Sequence, residues 1–590
     1  MSKFEISTDF MLDGKPFKII SGAIHYFRIH PSDWEHSLYN LKALGFNTVE
    51  TIVPWNIHEP NQGKFDFAGG HDLVAFLRCA QSLGLYAIVR PSPYICGEWE
   101  FGGTPAWLLK SPTIRIRSSD PEYLHRVDAY YSELIPRLIP LQLSNGGNIL
   151  MFQIENEYGS YGDDKDYLRA LRDMMQRHGL TQPFFTSDGP WQAALRTGSL
   201  VDDGILATGN FGSHSIENMT ALSDFLTAHE RQWPLMCMEF WTGWFNRWGE
   251  PIVRRDTADF AQEIQTLLTL GSINLYMFHG GTNFGFMNGC SARGVTDLPQ
   301  ITSYDYDAPL NEQGNPTEKY FALQAVLRAY DPEIEQTAPR VKPVMELLNI
   351  PLMNKVSLFS TLDDLSTSLT TKYPKTMEDI GQNTGYTLYT AELPQDSPTQ
   401  RLRVIDARDR VQVFVNHQLI ATQYQNEIGR DIAADLPQTT NRLDLLIENM
   451  GRVQYGHKFL ADTQKKGLRT GVMADLHFIS GWCQRALPLN NVDAVDFSKT
   501  WLPHQPAFYK FGFELEAAQD TFADLTGFGK GCLFVNGFNV GRFWSTGPLL
   551  SLYIAHGLLK KGYNEIIVFE SEGQYQKQLS LRKTPRYKQI

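Results

Sequence analysis

Several signals are missing from this 590-residue chain, and each absence removes a class of function. Its six cysteines, at 79, 96, 237, 290, 483 and 532, form no CxxC pair, which argues against a zinc ribbon or a dithiol redox motif. Cys96 and Cys237 fall within or beside apolar runs and read as buried free thiols, a usage that fits a reducing compartment. No apolar run approaches the ~20 residues that a membrane-spanning helix needs. The segment from Met1 to Phe10 lacks the apolar core of a secretory leader, so a cytoplasmic location is expected, with surface association by another route left open. Acidic residues outnumber basic ones by 65 to 53, giving a net charge of −12, and no basic stripe marks a nucleic-acid surface. Neither HxH nor HExxH occurs. His25, His58 and His279 therefore read as hydrogen-bonded structural histidines, and no metal or cofactor is expected.

What is present points to several domains, since one core rarely serves so long a chain. The first ~335 residues alternate short apolar runs with amphipathic segments, the signature of a parallel sheet. Eight strands are expected, at 17–24, 48–53, 86–89, 149–154, 184–186, 205–208, 235–238 and 273–278. Asp120-Pro121-Glu122 starts one intervening helix, and another runs from about Asp256 to a stop at Gly271. Eight such units match a (β/α)8 TIM barrel. A doubly wound sheet would favour a Gly-rich loop after its first strand, where the chain instead reads Ser21-Gly-Ala-Ile-His-Tyr-Phe-Arg28.

Composition changes near residue 335. The expected division is a barrel over 1–335, a connector over 336–385, and two β-sandwich, jelly-roll-like domains over 386–495 and 496–590. Phe414-Val-Asn416 resembles Phe534-Val-Asn536, and the run from Asn441 resembles that from Asn564. The near-equal offsets suggest that the two β domains are related.

Two glutamates carry the chemistry. Glu157 follows the fourth apolar run in Gln153-Ile-Glu-Asn-Glu-Tyr-Gly159, and Glu239 closes the seventh in Met238-Glu-Phe-Trp-Thr-Gly-Trp244. Barrel enzymes place catalytic groups at the C-terminal tips of strands. Two carboxylates there can flank a glycosidic bond, one as acid and one as nucleophile. A lone glutamate at a strand tip is usually solvated or paired, but two in aromatic- and glycine-rich surroundings favour catalysis. Asn156 is placed to hydrogen-bond a sugar 2-hydroxyl. Glu155 should face the same way as Glu157 if the strand runs that far. Arg28 and Arg90 read as groups that orient carboxylates.

These motifs resemble glycoside hydrolase family 35 β-galactosidases. So do Ala23-Ile-His-Tyr-Phe-Arg28, Val53-Pro-Trp-Asn-Ile-His-Glu-Pro60, Gly280-Gly-Thr-Asn-Phe284, Thr302-Ser-Tyr-Asp-Tyr-Asp-Ala-Pro309 and Gly541-Arg-Phe-Trp544. In length and wording the chain is most similar to short bacterial members acting on β-1,3-linked galactose. The resemblance implies a retaining exo-β-galactosidase with Glu157 as acid/base and Glu239 as nucleophile. Its substrate would be an oligosaccharide or glycoconjugate with terminal β-galactose, and the protein would be a homodimer. Cys96, Gly97, Glu98, Asn156, Tyr304 and Tyr306 would line the galactose pocket. Trp241, Trp244 and Tyr455 are candidates for the leaving-sugar subsite. For these aromatic residues, core packing or domain wedging is the structural alternative. Ile52, Trp241 and Phe286 replace hydroxyl-bearing residues common in relatives, and Gly97 replaces a frequent alanine. The rival readings are another β-glycosidase of the same barrel group and an inactive carbohydrate-binding protein.

Overall fold

The computed structural model describes residues 2–394 and 398–589. Eight parallel strands close into a barrel: β1 (Ile20–Ile24), β2 (Thr48–Ile52), β3 (Tyr86–Arg90), β4 (Ile149–Gln153), β5 (Phe184–Asp188), β6 (Leu206–Phe211), β7 (Met236–Trp241) and β8 (Ser272–His279). Their residues are almost all buried, which is why the sequence shows continuous apolar runs instead of alternation. β6 and β7 run about three residues past their expected ends. Parallel pairing of Phe240 with Phe211 and of Trp241 with Tyr276 extends them. Asn210 and Glu239 therefore sit inside strands and pair with each other.

Helices pack outside the barrel. Asp120 caps Pro121–Leu138 through the Tyr123 amide at 2.9 Å, and Asp256 caps Thr257–Leu270 through the Asp259 amide at 2.8 Å. Each side chain satisfies a donor that the first helical turn leaves free. Among the described residues, no helix is long and apolar enough to cross a membrane.

Two β domains follow. The first stacks a six-stranded sheet and a four-stranded sheet on a core that includes Tyr389, Val413, Leu445 and Trp482. The second is an eight-stranded sheet folded around Phe511, Leu533, Leu552 and Leu579. Residues 336–385, expected to be a connector, supply structure to both. Leu347–Ser357 pairs with Ala507–Leu515 and with Gln578–Arg582 in the second domain, and Leu369–Thr371 pairs with Trp482–Leu487 in the first. The repeat seen in the sequence has a shared geometry. Asn416 and Asn536 both adopt φ 48° at the end of a strand, and each side-chain amide donates at 3.0 Å to the opposing Asn441 or Asn564.

One loop of the first β domain enters the barrel mouth. Buried Arg452 bridges Glu100 at 2.6 Å and Glu378 at 2.5 Å, tying barrel to β domain. Phe459 stacks on Phe101 with ring centres 4.8 Å apart, and the Tyr94 hydroxyl donates to the Gln454 carbonyl at 2.5 Å. Anchored on both sides, the loop sets Gln454 and Tyr455 over the open end of the barrel.

Candidate active site

After β4 the chain turns through Glu155 and Glu157, which hold left-handed backbone at φ 57° and 47°. Non-glycine residues rarely adopt that conformation unless their surroundings impose it. Arg117 grips Glu155 with Nε to Oε1 at 2.7 Å and Nη2 to Oε2 at 2.9 Å, and the same Nη2 donates to the Asn156 carbonyl at 2.9 Å. On the other side, the Glu157 amide donates to the Ser187 carbonyl at 3.1 Å, and the Gly159 amide donates to Asp188 Oδ1 at 2.7 Å. The turn is thus clamped by β5 and by Arg117. Glu155 does not share the direction of Glu157. The strand stops at Gln153, alternation ends with it, and Glu155 points instead to Arg117 and Tyr167.

Glu239 reaches the same space from β7. A register shift between Cys237 and Glu239 sets it opposite Asn210 of β6. Asn210 Nδ2 donates to Glu157 Oε1 at 3.1 Å, and the Ser187 hydroxyl fixes that amide by donating to Asn210 Oδ1 at 2.5 Å. Both oxygens of Glu239 meet donors: Arg90 Nη2 lies 2.6 Å from Oε1 and Trp241 Nε1 lies 3.2 Å from Oε2. An acceptor with two donors and no partner that needs its proton is arranged as a carboxylate. Arg90 also donates to Asn156 Oδ1. Gln153 Nε2 meets that oxygen at 2.9 Å, while Asn156 Nδ2 makes only a 3.4 Å contact to the Ile95 carbonyl. The Asn156 amide is therefore oriented with donor capacity to spare.

The electrostatics of the two acids differ. Glu157 is half-buried and lines the cavity. Burial, and then the charge of Glu239, push its carboxyl up to about 8, against the opposing pull of the Asn210 hydrogen bond. Asp188 adds to the rise and is itself pushed to about 7 by burial. Below Arg90, burial likewise lifts Glu50 to about 7 despite a guanidinium 3.5 Å away. The Glu98 carboxyl is also raised by burial, while the Tyr304 hydroxyl donates to it.

Together these groups enclose a cavity of about 290 Å³. Cys96, Gly97, Glu98, Asn156, Glu157, Glu239, Trp241, Trp244, Tyr306 and Tyr455 all line it. Tyr304 stands one layer back, linking Glu98 to the Tyr276 hydroxyl 3.2 Å away. A larger cleft of about 780 Å³ opens where the barrel and both β domains meet, but neither Glu157 nor Glu239 lines it.

The altered positions behave differently from one another. Trp241 has no hydroxyl, yet its ring N–H supplies a donor to Glu239. Phe286 lies outside the cavity, packed against Tyr386 and under the Arg542 guanidinium. Gly97 and Ile52 are coupled: Gly97 holds φ 54°, and a Cβ there would lie 2.8 Å from Ile52 Cδ1. An alanine at 97 would require Ile52 to move as well as strained backbone.

Arg90 does orient a carboxylate. Arg28 instead donates to the Gly97 carbonyl and lies 3.7 Å over the Tyr304 ring. His25, His58 and His279 are separate buried side chains bonded to Arg28, Tyr26 and Ser37 respectively. Asn210, Trp191, Arg247, Tyr276 and Gln454 also meet the acids or their cavity, and no motif in the sequence marks them. Asn210 could have been found as a polar residue near the end of a barrel strand. The others depend on loops meeting in space.

A closed eight-stranded barrel with two carboxylates converging at its C-terminal mouth defines a glycoside hydrolase of the barrel type. Residues 9–330 match the family described as Glycosyl hydrolases family 35, and the chain belongs to that family. Residues 374–489 match "Beta-galactosidase, first all-beta domain", and residues 506–564 match "Beta-galactosidase, galactose-binding domain". Similar proteins include "Beta-galactosidase 1" of Dictyostelium discoideum, 38% identical across 94% of this chain and 88% of that protein. "Beta-galactosidase" of Felis catus is 39% identical across 95% and 87% respectively. "Beta-galactosidase" of Xanthomonas manihotis is 38% identical across 93% and 90%.

Proposed function

We propose that the chain is an exo-acting β-galactosidase that removes terminal non-reducing β-D-galactose by double displacement. The observation that carries this reading is the contrast between two acids in one cavity. Glu157, held up to about 8, keeps the proton that a leaving oxygen needs at neutral pH. Glu239, with Arg90 and Trp241 on its two oxygens, presents a carboxylate to the anomeric carbon. Attack by Glu239 forms the glycosyl–enzyme bond as Glu157 protonates the departing sugar. Glu157, now ionised, then takes a proton from water, which releases galactose and restores Glu239. Asn156, Glu98 and Tyr306 supply donors and acceptors for galactose hydroxyls.

For the leaving group, we assign Trp241, Trp244 and Tyr455 to the subsite of an N-acetylhexosamine joined through a β-1,3 bond. Support comes from the motif resemblance and from an aromatic wall in which the Trp241 and Trp244 rings meet edge to face at 5.4 Å. Rings of this kind bury the apolar face of a sugar. A panel of β-1,3-, β-1,4- and β-1,6-linked galactosyl disaccharides, followed by NMR, tests both parts. Fastest cleavage of the β-1,3 isomer with β-galactose as first product is expected. First-formed α-galactose would refute double displacement, and equal rates would refute the linkage assignment.

A further inference from the structure

Trp191 follows β5 in Asp188-Gly-Pro-Trp191, lines the same cavity as Glu157, and is 54% exposed. Its carbonyl is anchored, accepting from the amides of Ala194 at 3.0 Å and Leu195 at 3.1 Å, at the start of helix Gln192–Gly198. Its ring folds back over its own loop. A Cβ on Gly189 would lie 2.0 Å from the ring, so the position must stay bare for the indole to seat there. Because this exposed ring also lines the cavity that holds Glu157, it offers an apolar face to whatever occupies the mouth of the pocket.

Depth decides what it contacts. Among the lining residues, Tyr306 is 1% exposed and Glu239 7%, whereas Tyr455 is 39% and Trp191 54% exposed. The buried end takes the sugar to be released, and the middle takes the leaving sugar. The rim then meets the next unit of the chain.

We propose that Trp191 forms a further subsite that stacks on the third sugar of an oligosaccharide, making the enzyme selective for chains longer than a disaccharide. This rests on the β-galactosidase reading and deepens it.

The test compares kcat/KM for a galactosyl disaccharide and for the trisaccharide that extends it by one sugar at the reducing end. The native enzyme should favour the trisaccharide by about tenfold, the scale of one ring–sugar contact. Trp191→Ala should bring that ratio to about 1, mainly through KM, and Trp191→Phe should restore most of it. An unchanged ratio in Trp191→Ala, or no preference in the native enzyme, overturns the subsite while leaving the galactosidase reading intact. Absence of turnover on every β-galactoside overturns both.

Discussion

Glu157 and Glu448 are both glutamates sunk into protein, yet they end in opposite electrostatic states. Glu448, between the two β domains, receives Lys530 at 2.6 Å, Arg542 at 3.1 Å and Arg410 at 3.4 Å. Burial alone would raise its carboxyl, but Lys530, Arg410 and Arg542 together hold it below the usual range. The cations bear part of the cost: burial and its two arginine neighbours push Lys530 down to about 8. Glu157 has an amide donor and a second carboxylate nearby, and is pushed up to about 8. Burial is common to both, so the partners decide. The interface surrounds its buried charge with cations, whereas the barrel cavity leaves one acid uncompensated, as the proposed acid/base role of Glu157 requires.

The comparison breaks most severely at Glu239. Glu239→Gln removes the proposed nucleophile and should lower turnover by roughly 10⁴-fold or more, as loss of a covalent catalyst does. Glu157→Gln should cost about 10²–10⁴-fold on disaccharides, and much less on glycosylation by an activated aryl galactoside, whose leaving group needs no proton. Stability should move the other way. The raised carboxyl of Glu157 contributes stability that is complete below its ordinary value of 4.5 and is lost as pH rises through about 8. Glu157→Gln should therefore melt higher than the native protein at pH 9.

Glu448→Gln gives the inverse result. Removing the anion strands Lys530 between two arginines and should destabilise the β domains by about 3–5 kcal/mol, read by thermal melting. The reacting groups of the barrel are left in place. Asp188→Asn is the smallest test. Its amide oxygen can still accept from Gly159, but the charge that helps hold Glu157 up is gone. The alkaline limb of kcat/KM should shift to lower pH from about 8. A shift to higher pH would contradict the role given to Asp188.

Much of the barrel is legible in the sequence because strands buried on both faces read as unbroken apolar runs. Glu157 and Glu239 stand out because each follows or closes such a run. Glu155 departs from its expected direction because strand alternation ends at Gln153 and a left-handed turn held by Arg117 and β5 follows. Residues 347–357 looked like a connector because that strand is largely exposed at its start and contains Pro351, which hides its place in a sheet. Arg90 was visible as a carboxylate partner, whereas Asn210 required the register of β6 against β7. Trp191 and Gln454 come from loops 263 residues apart, and no local pattern announces that they share a cavity.

The most direct test of the double-displacement assignment is to trap its intermediate. Incubation with an activated 2-deoxy-2-fluoro-β-galactoside, followed by peptide mass spectrometry, should place a single fluorogalactosyl group on Glu239. A label on Glu157 or on another side chain would contradict the roles assigned to the two acids.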